Sequence, residues 1–190
     1  MNDGARPRRI YITGGPGSGK TRLAGRLGAL TGWPVHDLDG MALAISGLQP
    51  PLDRLPELTA LREAQIKELA RGEAWISEGS FVGSEHDFLR GCQLIVWLDA
   101  SWRVAAYRIL LRHVKASLAR NNRFPGLWRL YRFWRWSARY YSDRNPWGLN
   151  IYGTPATNAY LAEVLSKYPD KVTRCVTKAD VERLLALVSG

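Results

Sequence analysis

Short runs of apolar and β-branched residues recur along the chain and predict five strands. The predicted strands cover residues 9–13, 34–39, 74–77, 94–98 and 171–176. The fourth is apolar at every position, which is typical of a strand covered on both faces of a sheet.

Helical spacing of apolar residues fills most of the intervals between these strands. Leu23, Leu27 and Leu30 predict a first helix that ends at Gly32. A second helix is predicted over residues 57–71, and a long third helix carries Val104, Tyr107, Leu111, Val114 and Leu118 at helical spacing. A fourth helix is predicted from Thr154, as N-cap, and Pro155 to about Tyr168. The last helix follows a capping box of Thr177 and Asp180. Strand and helix therefore alternate, which predicts an α/β fold with a parallel sheet between two layers of helices.

The composition is that of one folded domain. With 190 residues, 46% hydrophobic and 23% charged, the chain is long enough for a full core and too apolar for a disordered protein. We therefore expect a single domain over residues 1–190. The chain has no apolar run of transmembrane length, and its polar, basic start does not resemble an export signal. We expect a cytoplasmic protein in which Cys92 and Cys175 are reduced core thiols.

The positive charge is concentrated in one segment. Residues 101–147 hold eleven Arg and Lys against one acid, Asp143, and so account for the whole net charge of +10. The 16 basic and 16 acidic residues of the remaining chain cancel. The same segment holds eleven of the twenty aromatic residues, so an anionic partner should be sought there.

The glycine-rich segment after the first predicted strand carries the most specific motif of the chain. It fits the pattern G-x-x-x-x-G-K-[ST] at every fixed position, between a strand and an amphipathic helix. Glycines let successive backbone N–H groups turn toward a phosphate, and the following helix adds its positive end. The motif predicts a loop that binds ATP through Gly14, Gly15, Pro16, Gly17, Ser18, Gly19, Lys20 and Thr21. Lys20 would contact the β and γ phosphates as a catalytic residue, and the Thr21 hydroxyl would bind Mg²⁺.

The wider pattern resembles the adenylate-kinase-like family of P-loop kinases, and within it the bacterial group labelled DNA topology modulation proteins. The resemblance spans residues 8–118 and rests on the segments Ile10–Gly14 with the loop, Val35–Asp39, Trp75–Gly79, Leu94–Asp99 and Arg108-x-x-x-Arg112. It implies a three-layer P-loop NTPase sandwich with a five-stranded parallel sheet of order 2-3-1-4-5. It also implies an acceptor-binding excursion after strand 2 and an arginine- and aromatic-rich helical lid or insertion, for which residues 119–150 are the candidate.

The resemblance also implies roles for charged residues beyond the loop. In such kinases the acid that ends strand 3 holds Mg²⁺ through water, which assigns that role to Glu78. Two arginines at the base of the lid map to Arg108 and Arg112 as catalytic residues. Arg108 and Arg112 share one helix face with Lys115. A basic helix face that is only solvated would show the same spacing. Asp99 follows strand 4 as a Walker B acid does, although the matching residue of these kinases often does not bind the metal.

Two aspartates, Asp37 and Asp39, flank Leu38 at the predicted end of strand 2, where ligands bind in open α/β sheets. The pair resembles the D-x-D of small hydroxy-acid kinases. There the first acid assists Mg²⁺, directly or through water, and the second acts in catalysis by accepting the proton of the acceptor hydroxyl. In the other interpretation one of them caps the next segment.

The acceptor site departs from that of nucleoside monophosphate kinases. Those enzymes carry an arginine four residues after the strand-3 acid, to bind the acceptor's phosphate, and this chain has Val82 there. The excursion after strand 2 offers one arginine, Arg54. We therefore predict a Mg²⁺-dependent kinase that transfers the γ-phosphoryl group of ATP to a small molecule, uncharged or hydroxyl-bearing. The alternative is a nucleic-acid-associated P-loop NTPase.

Residues 127–141 predict a helix with a basic side and an aromatic side. Arg129, Arg132, Arg135 and Arg139 fall within an arc of roughly 120°. As a lid, the helix would bring these arginines to the triphosphate on closing. As a nucleic-acid surface, residues 120–147 would bind DNA or RNA through phosphate contacts and base stacking. As an interfacial helix, its aromatic side would enter a membrane surface. In the plainest interpretation the aromatics pack in the core and the arginines are solvated.

Overall fold

The computed structural model describes residues 6–40, 64, 66–80, 86–122, 125–146 and 157–189. The strands are β1 (Arg9–Gly14), β2 (Val35–Asp37), β3 (Trp75–Glu78), β4 (Leu94–Leu98) and β5 (Val172–Cys175). The helices are α1 (Lys20–Thr31), α2 (His86–Gly91), α3 (Trp102–Leu118), α4 (Leu127–Ser142), α5 (Asn158–Leu165) and α6 (Lys178–Ser189). Residues 41–63, including Arg54, lie outside the described ranges, as do Val82, Thr154 and Pro155.

The five strands form one parallel sheet of order β2-β3-β1-β4-β5. This confirms the predicted fold class and strand order. Because all strands run in the same direction, their carboxyl ends meet at one edge of the sheet. In the register of the strands, Glu78 is paired with Ile12 of β1 on one side and with Asp37 of β2 on the other. The glycine loop and the predicted acidic residues therefore lie at the same edge.

Alternate residues of the strands supply two cores, one on each face of the sheet. On one face, Ile10 and Ile12 of β1 pack with α1 and α6. On the other, Tyr11 packs with α2, α5 and Ile66. Cys175 belongs to the first core and Cys92 to the second, and both are free thiols, as predicted. Burial raises the pKa of Cys92 to about 12, so it stays protonated.

Several element boundaries differ from the predictions. The predicted strand over 34–39 is shorter, because the chain turns into a helical turn at residues 38–40. The helix predicted from Thr154 begins at Asn158, where the side chain of Thr157 accepts a hydrogen bond from Tyr160 N at 3.0 Å. The position of the predicted N-cap was therefore wrong by three residues. The capping box of Thr177 and Asp180 is confirmed by reciprocal bonds of 3.2 and 2.7 Å between side chains and backbone amides.

Helices α3 and α4 pack against each other as a hairpin over the loop edge of the sheet. The ring of Trp102, at the start of α3, lies 5.6 Å from that of Tyr141, near the end of α4. The two helices are therefore antiparallel. Across the described ranges, every helix is too short or too polar to cross a membrane.

Candidate active site

The loop between β1 and α1 has a backbone that only glycine accommodates at three positions. Gly14, Gly17 and Gly19 have φ angles of 145°, 77° and 105°. A Cβ on Gly14 would lie 2.4 Å from the carbonyl oxygen of Leu98, and one on Gly17 would lie 2.7 Å from that of Ala105. The motif glycines are thus required by the strand and the helix that pack around the loop.

The inner side of the loop fits a phosphate. Helix α1 begins at Lys20, and its N-cap, Gly19, provides no side-chain cap for the first N–H groups. The hydroxyl of Ser18 is buried and has no hydrogen-bond partner among the residues that the structure describes. A phosphate held by the helix N-terminus would supply acceptors for both. The residues present therefore fit the triphosphate of ATP.

The ammonium group of Lys20 is buried in the loop. Its Nζ donates to the carbonyl oxygens of Gly14 at 2.9 Å and Gly15 at 3.3 Å, and to Ser80 Oγ at 3.0 Å. Burial lowers the pKa of Lys20, and the charges of Asp39 and Glu78 act in the opposite direction. All three N–H donors are used within the site, so a bound phosphate would replace at least one of these acceptors.

Ser80 connects Lys20 to Asp39 and was not identified from the sequence. Its hydroxyl accepts from Lys20 and donates to Asp39 Oδ2 at 3.2 Å, while its backbone N–H donates to the same carboxylate at 3.0 Å. A serine after Glu78-Gly79 carries no motif of its own. Its role depends on the tertiary pairing of β2 with β3, which brings the end of one strand beside the other.

The predicted magnesium residues Thr21 and Glu78 are in direct contact. Thr21 Oγ1 donates to Glu78 Oε1 at 2.6 Å. Burial raises the pKa of the Glu78 carboxyl, and the Thr21 hydrogen bond and the charge of Lys20 partly offset this effect. A hydroxyl and a carboxylate beside a phosphate-binding loop are oxygen donors of the kind that Mg²⁺ prefers. These residues fit the ion.

Asp37 caps the segment that follows β2, as one of the two interpretations of the sequence predicted. Its Oδ1 accepts from the backbone N–H of Gly40 at 2.7 Å and so caps the helical turn after β2. Its charge still acts on both Lys20 and Glu78. Asp37 therefore lies at the site, with one oxygen bound to the backbone of the turn and its charge acting on the Lys20 ammonium and the Glu78 carboxyl.

The carboxylate of Asp99 is bound by two side chains from other elements. Its carboxylate accepts from Arg174 Nε at 2.9 Å and from Asn158 Nδ2 at 3.0 Å. Arg174 also lies over the ring of Trp97, 4.9 Å from its centroid. Asp99 thus joins β4 to β5 and α5, which is a structural role.

The two arginines of α3 lie beside the loop, one helical turn apart. Arg108 Nη1 donates to the carbonyl oxygen of Ser18 at 2.6 Å. The guanidinium of Arg112 lies 5.9 Å from the ring centroid of Phe133 on α4, and its charge acts on Lys20. Both guanidinium groups are therefore close to the predicted phosphate position.

Helix α4 covers the outer side of the loop with tyrosines. Tyr141 Oη donates to the carbonyl oxygen of Pro16 at 2.9 Å, and a Cβ on Gly15 would lie 2.5 Å from both Tyr140 and Tyr141. Trp134 packs on Trp102, with ring centroids 5.1 Å apart. The arginines of α4 are exposed on the other side of the helix, at Arg129, Arg132, Arg135 and Arg139. This aromatic contact with the loop was not predicted.

Similarity to known proteins is detectable in the structure rather than in the sequence. No family model matches the chain, and no curated protein matches it significantly. A shikimate kinase from Acinetobacter baumannii in complex with shikimate has a TM-score of 0.52 and 16% identity over 96% of this chain and 90% of that one. A gluconokinase from Sinorhizobium meliloti has a TM-score of 0.50 and 16% identity over 96% of this chain and 89% of that one. At these identities the likeness concerns the fold, which is that of small P-loop kinases.

Proposed function

We propose that the protein is an ATP- and Mg²⁺-dependent kinase that phosphorylates a hydroxyl group of a small molecule. One arrangement carries the proposal. The phosphate-binding loop with Lys20, the Thr21–Glu78 pair and Asp39 lie together at the carboxyl edge of one parallel sheet. Phosphoryl transfer needs these three components, which bind the triphosphate, hold the metal ion and position the acceptor.

Each residue of the proposed site has a role that its contacts support. The loop and Lys20 bind the β and γ phosphates, while Thr21 and Glu78, with Asp37 through water, hold Mg²⁺, which offsets phosphate charge when bound. Asp39 accepts the proton of the acceptor hydroxyl as that oxygen bonds to the γ-phosphorus and the bond to the β–γ bridging oxygen breaks. Arg108 and Arg112 stabilise the charge on the transferred group. Helix α4, within residues 119–150, covers the loop and excludes water.

The finer placement of the protein is also a proposal. The motif resemblance favours the adenylate-kinase-like group, near the DNA topology modulation proteins. The cytoplasmic location remains the expectation from the polar start of the chain and the two reduced cysteines. The shikimate kinase and the gluconokinase that share the fold suggest shikimate and gluconate as acceptors. Both are hydroxyl-bearing acids, so they are the first compounds to test.

A phosphoryl-transfer screen with purified protein, MgATP and a metabolite library that includes shikimate and gluconate tests the proposal directly. We expect one class of hydroxyl compound to accelerate ADP formation and to become phosphorylated, with no effect in the Lys20→Ala variant. Acceleration by DNA or RNA, without a phosphorylated metabolite, would instead identify a nucleic-acid-dependent NTPase.

Nucleoside monophosphates are expected to be poor acceptors. Val82 occupies the position at which nucleoside monophosphate kinases carry an arginine, so the acceptor's phosphate would lack that cation. Coupled assays with each nucleoside monophosphate check this. Turnover of any of them at typical kinase rates of ~1–100 s⁻¹ would contradict the acceptor assignment.

Replacing Glu78 by Gln is expected to raise the Mg²⁺ concentration needed for half-maximal activity by about tenfold or more. The amide can still accept from Thr21 but has no charge. Because burial raises the pKa of Glu78, the wild-type requirement should increase as the pH falls, since the carboxylate becomes protonated. The variant should lose that pH dependence. Glu163→Gln, an exposed site on α5, is the control, and an equal Mg²⁺ requirement in Glu78→Gln would contradict the metal role.

A further inference from the structure

Within the described residues, helices α3 and α4 carry most of the large hydrophobic side chains that are exposed. Eight of the twelve large hydrophobic side chains that are exposed in the described ranges lie on these two helices. Those on α3 are Val104, Tyr107, Leu110, Val114 and Leu118. Their spacing of three or four residues places them on one face of the helix. The buried residues of α3 are Ala105 and Ile109, so its wider apolar face points to solvent rather than to the core.

Among the large hydrophobic side chains of the described residues, the three most exposed lie at the end of α3 and the start of α4. Leu118 at the end of α3 is 80% exposed, and Leu127 and Trp128 at the start of α4 are 78% and 68% exposed. Trp102 and Tyr141 meet at the opposite end of the hairpin. Leu118, Leu127 and Trp128 therefore lie at the helix ends opposite that contact, and we call these three side chains the hairpin tip. Trp128 stacks on Tyr131, with ring centroids 5.6 Å apart, and extends this surface along α4.

Basic side chains surround the hairpin tip. Lys115 and Arg120 flank Leu118, Arg129 and Arg132 follow Trp128, and all four are exposed. The whole segment 101–147 has one acidic residue and a net charge of +10. A partner of this surface must therefore offer apolar contact and negative charge together.

A membrane surface meets both requirements better than the other occupants do. A second copy of this chain would bring two segments of like charge together, which opposes association. A nucleic acid would use the arginines and Trp128, but it offers no apolar environment for Leu118 and Leu127. An anionic bilayer places phosphates at the level of the basic side chains and hydrocarbon just beneath them.

We propose that the hairpin tip and the apolar face of α3 bind peripherally to a membrane that contains anionic phospholipid. Leu118, Leu127 and Trp128 enter the boundary between head groups and acyl chains, and the surrounding basic residues contact lipid phosphates. The catalytic edge of the sheet is approached by the other side of the hairpin, through Tyr140 and Tyr141. Membrane binding therefore leaves the nucleotide loop facing away from the lipid.

Vesicle co-sedimentation of the full chain tests this proposal. We expect binding to vesicles of phosphatidylcholine with about one third phosphatidylglycerol, and weak binding to phosphatidylcholine alone. The Leu118→Ser, Leu127→Ser double variant should bind the anionic vesicles about tenfold or more weakly. Leu30→Ser, Leu187→Ser is the matched control, because these leucines are also exposed but lie on α1 and α6. It should bind like the wild type, and circular dichroism verifies that all variants are folded.

Insertion is measured separately in the wild type. Phosphatidylglycerol with brominated acyl chains should quench part of the tryptophan fluorescence, and Trp128→Phe should remove the quenched part. Absence of binding to anionic vesicles, or equal binding by the Leu118→Ser, Leu127→Ser variant, would overturn the proposal. So would a concentration-dependent dimer that this variant abolishes, or binding of single-stranded DNA that competes with vesicles and needs the arginines but not the leucines.

Discussion

Replacing Lys20 with alanine is expected to lower the affinity for MgATP at least about tenfold, because a charge-assisted contact to phosphate contributes about 1.5–3 kcal/mol. Lys20 is the buried cation of the loop, and its ammonium group lies within hydrogen-bond distance of the Gly14 and Gly15 carbonyls and of Ser80. A phosphate that replaces these neutral acceptors gains a direct ion pair in a site shielded from water. Isothermal titration calorimetry with MgATP measures the loss.

The variant also removes contacts in the free protein, so its fold must be verified. Thermal unfolding followed by circular dichroism does this, and Lys167→Ala, an exposed lysine after α5, is the matched control. The control should bind MgATP like the wild type. Unchanged MgATP affinity in a folded Lys20→Ala protein would refute the nucleotide assignment.

The loop could be predicted because its determinants are local. Gly14, Gly17 and Gly19 fall at a fixed spacing, and the strand before them and the helix after them follow from short-range patterns. The order of the strands in the sheet could not be predicted from these local patterns alone. Alternation of strands and helices indicates a parallel sheet. The order 2-3-1-4-5 came from resemblance to a kinase family, and the structure confirms it.

The contacts between side chains of different elements could not be predicted from the same patterns. Ser80 and Asp39 are 41 residues apart, and only the pairing of β2 with β3 brings them together. The tyrosines of α4 reach the loop from more than 120 residues away, and a periodic pattern does not indicate what a helix covers. For the same reason the spacing of Val104, Tyr107 and Leu118 predicted helix α3 but did not reveal that this face is exposed.

Asp37 shows why a motif leaves alternatives open. A carboxylate can accept from backbone N–H groups and also neutralise a nearby cation, so the two roles predicted from the sequence are compatible. In the structure one oxygen caps the turn at Gly40, while the charge of the group still acts on Lys20. The sequence shows the residue type and position, whereas the division between the two roles depends on the turn that follows β2.

Replacing Arg112 with alanine is expected to lower turnover strongly, because a transition-state arginine contributes ~10³–10⁵ in rate. Arg112 lies beside Phe133, and its charge acts on Lys20, so in the proposed site it lies near the transferred group. Within the described residues it makes no hydrogen bond to the loop backbone. We therefore expect kcat to fall by about 10³ with MgATP affinity changed only a few fold. Arg112→Lys should recover part of the rate, since it retains the charge but not the planar guanidinium.

Arg108 provides the comparison that separates catalysis from loop support. Its hydrogen bond to the Ser18 carbonyl means that Arg108→Ala should weaken MgATP binding as well as turnover. Arg103→Ala, an exposed arginine at the start of the same helix, is the matched control and should behave like the wild type in both assays. Turnover and MgATP titrations on the three variants, with the acceptor found in the screen, give the comparison. If Arg112→Ala turns over at the wild-type rate, this arginine lies on a solvated helix face and the stabilising charge must come from elsewhere.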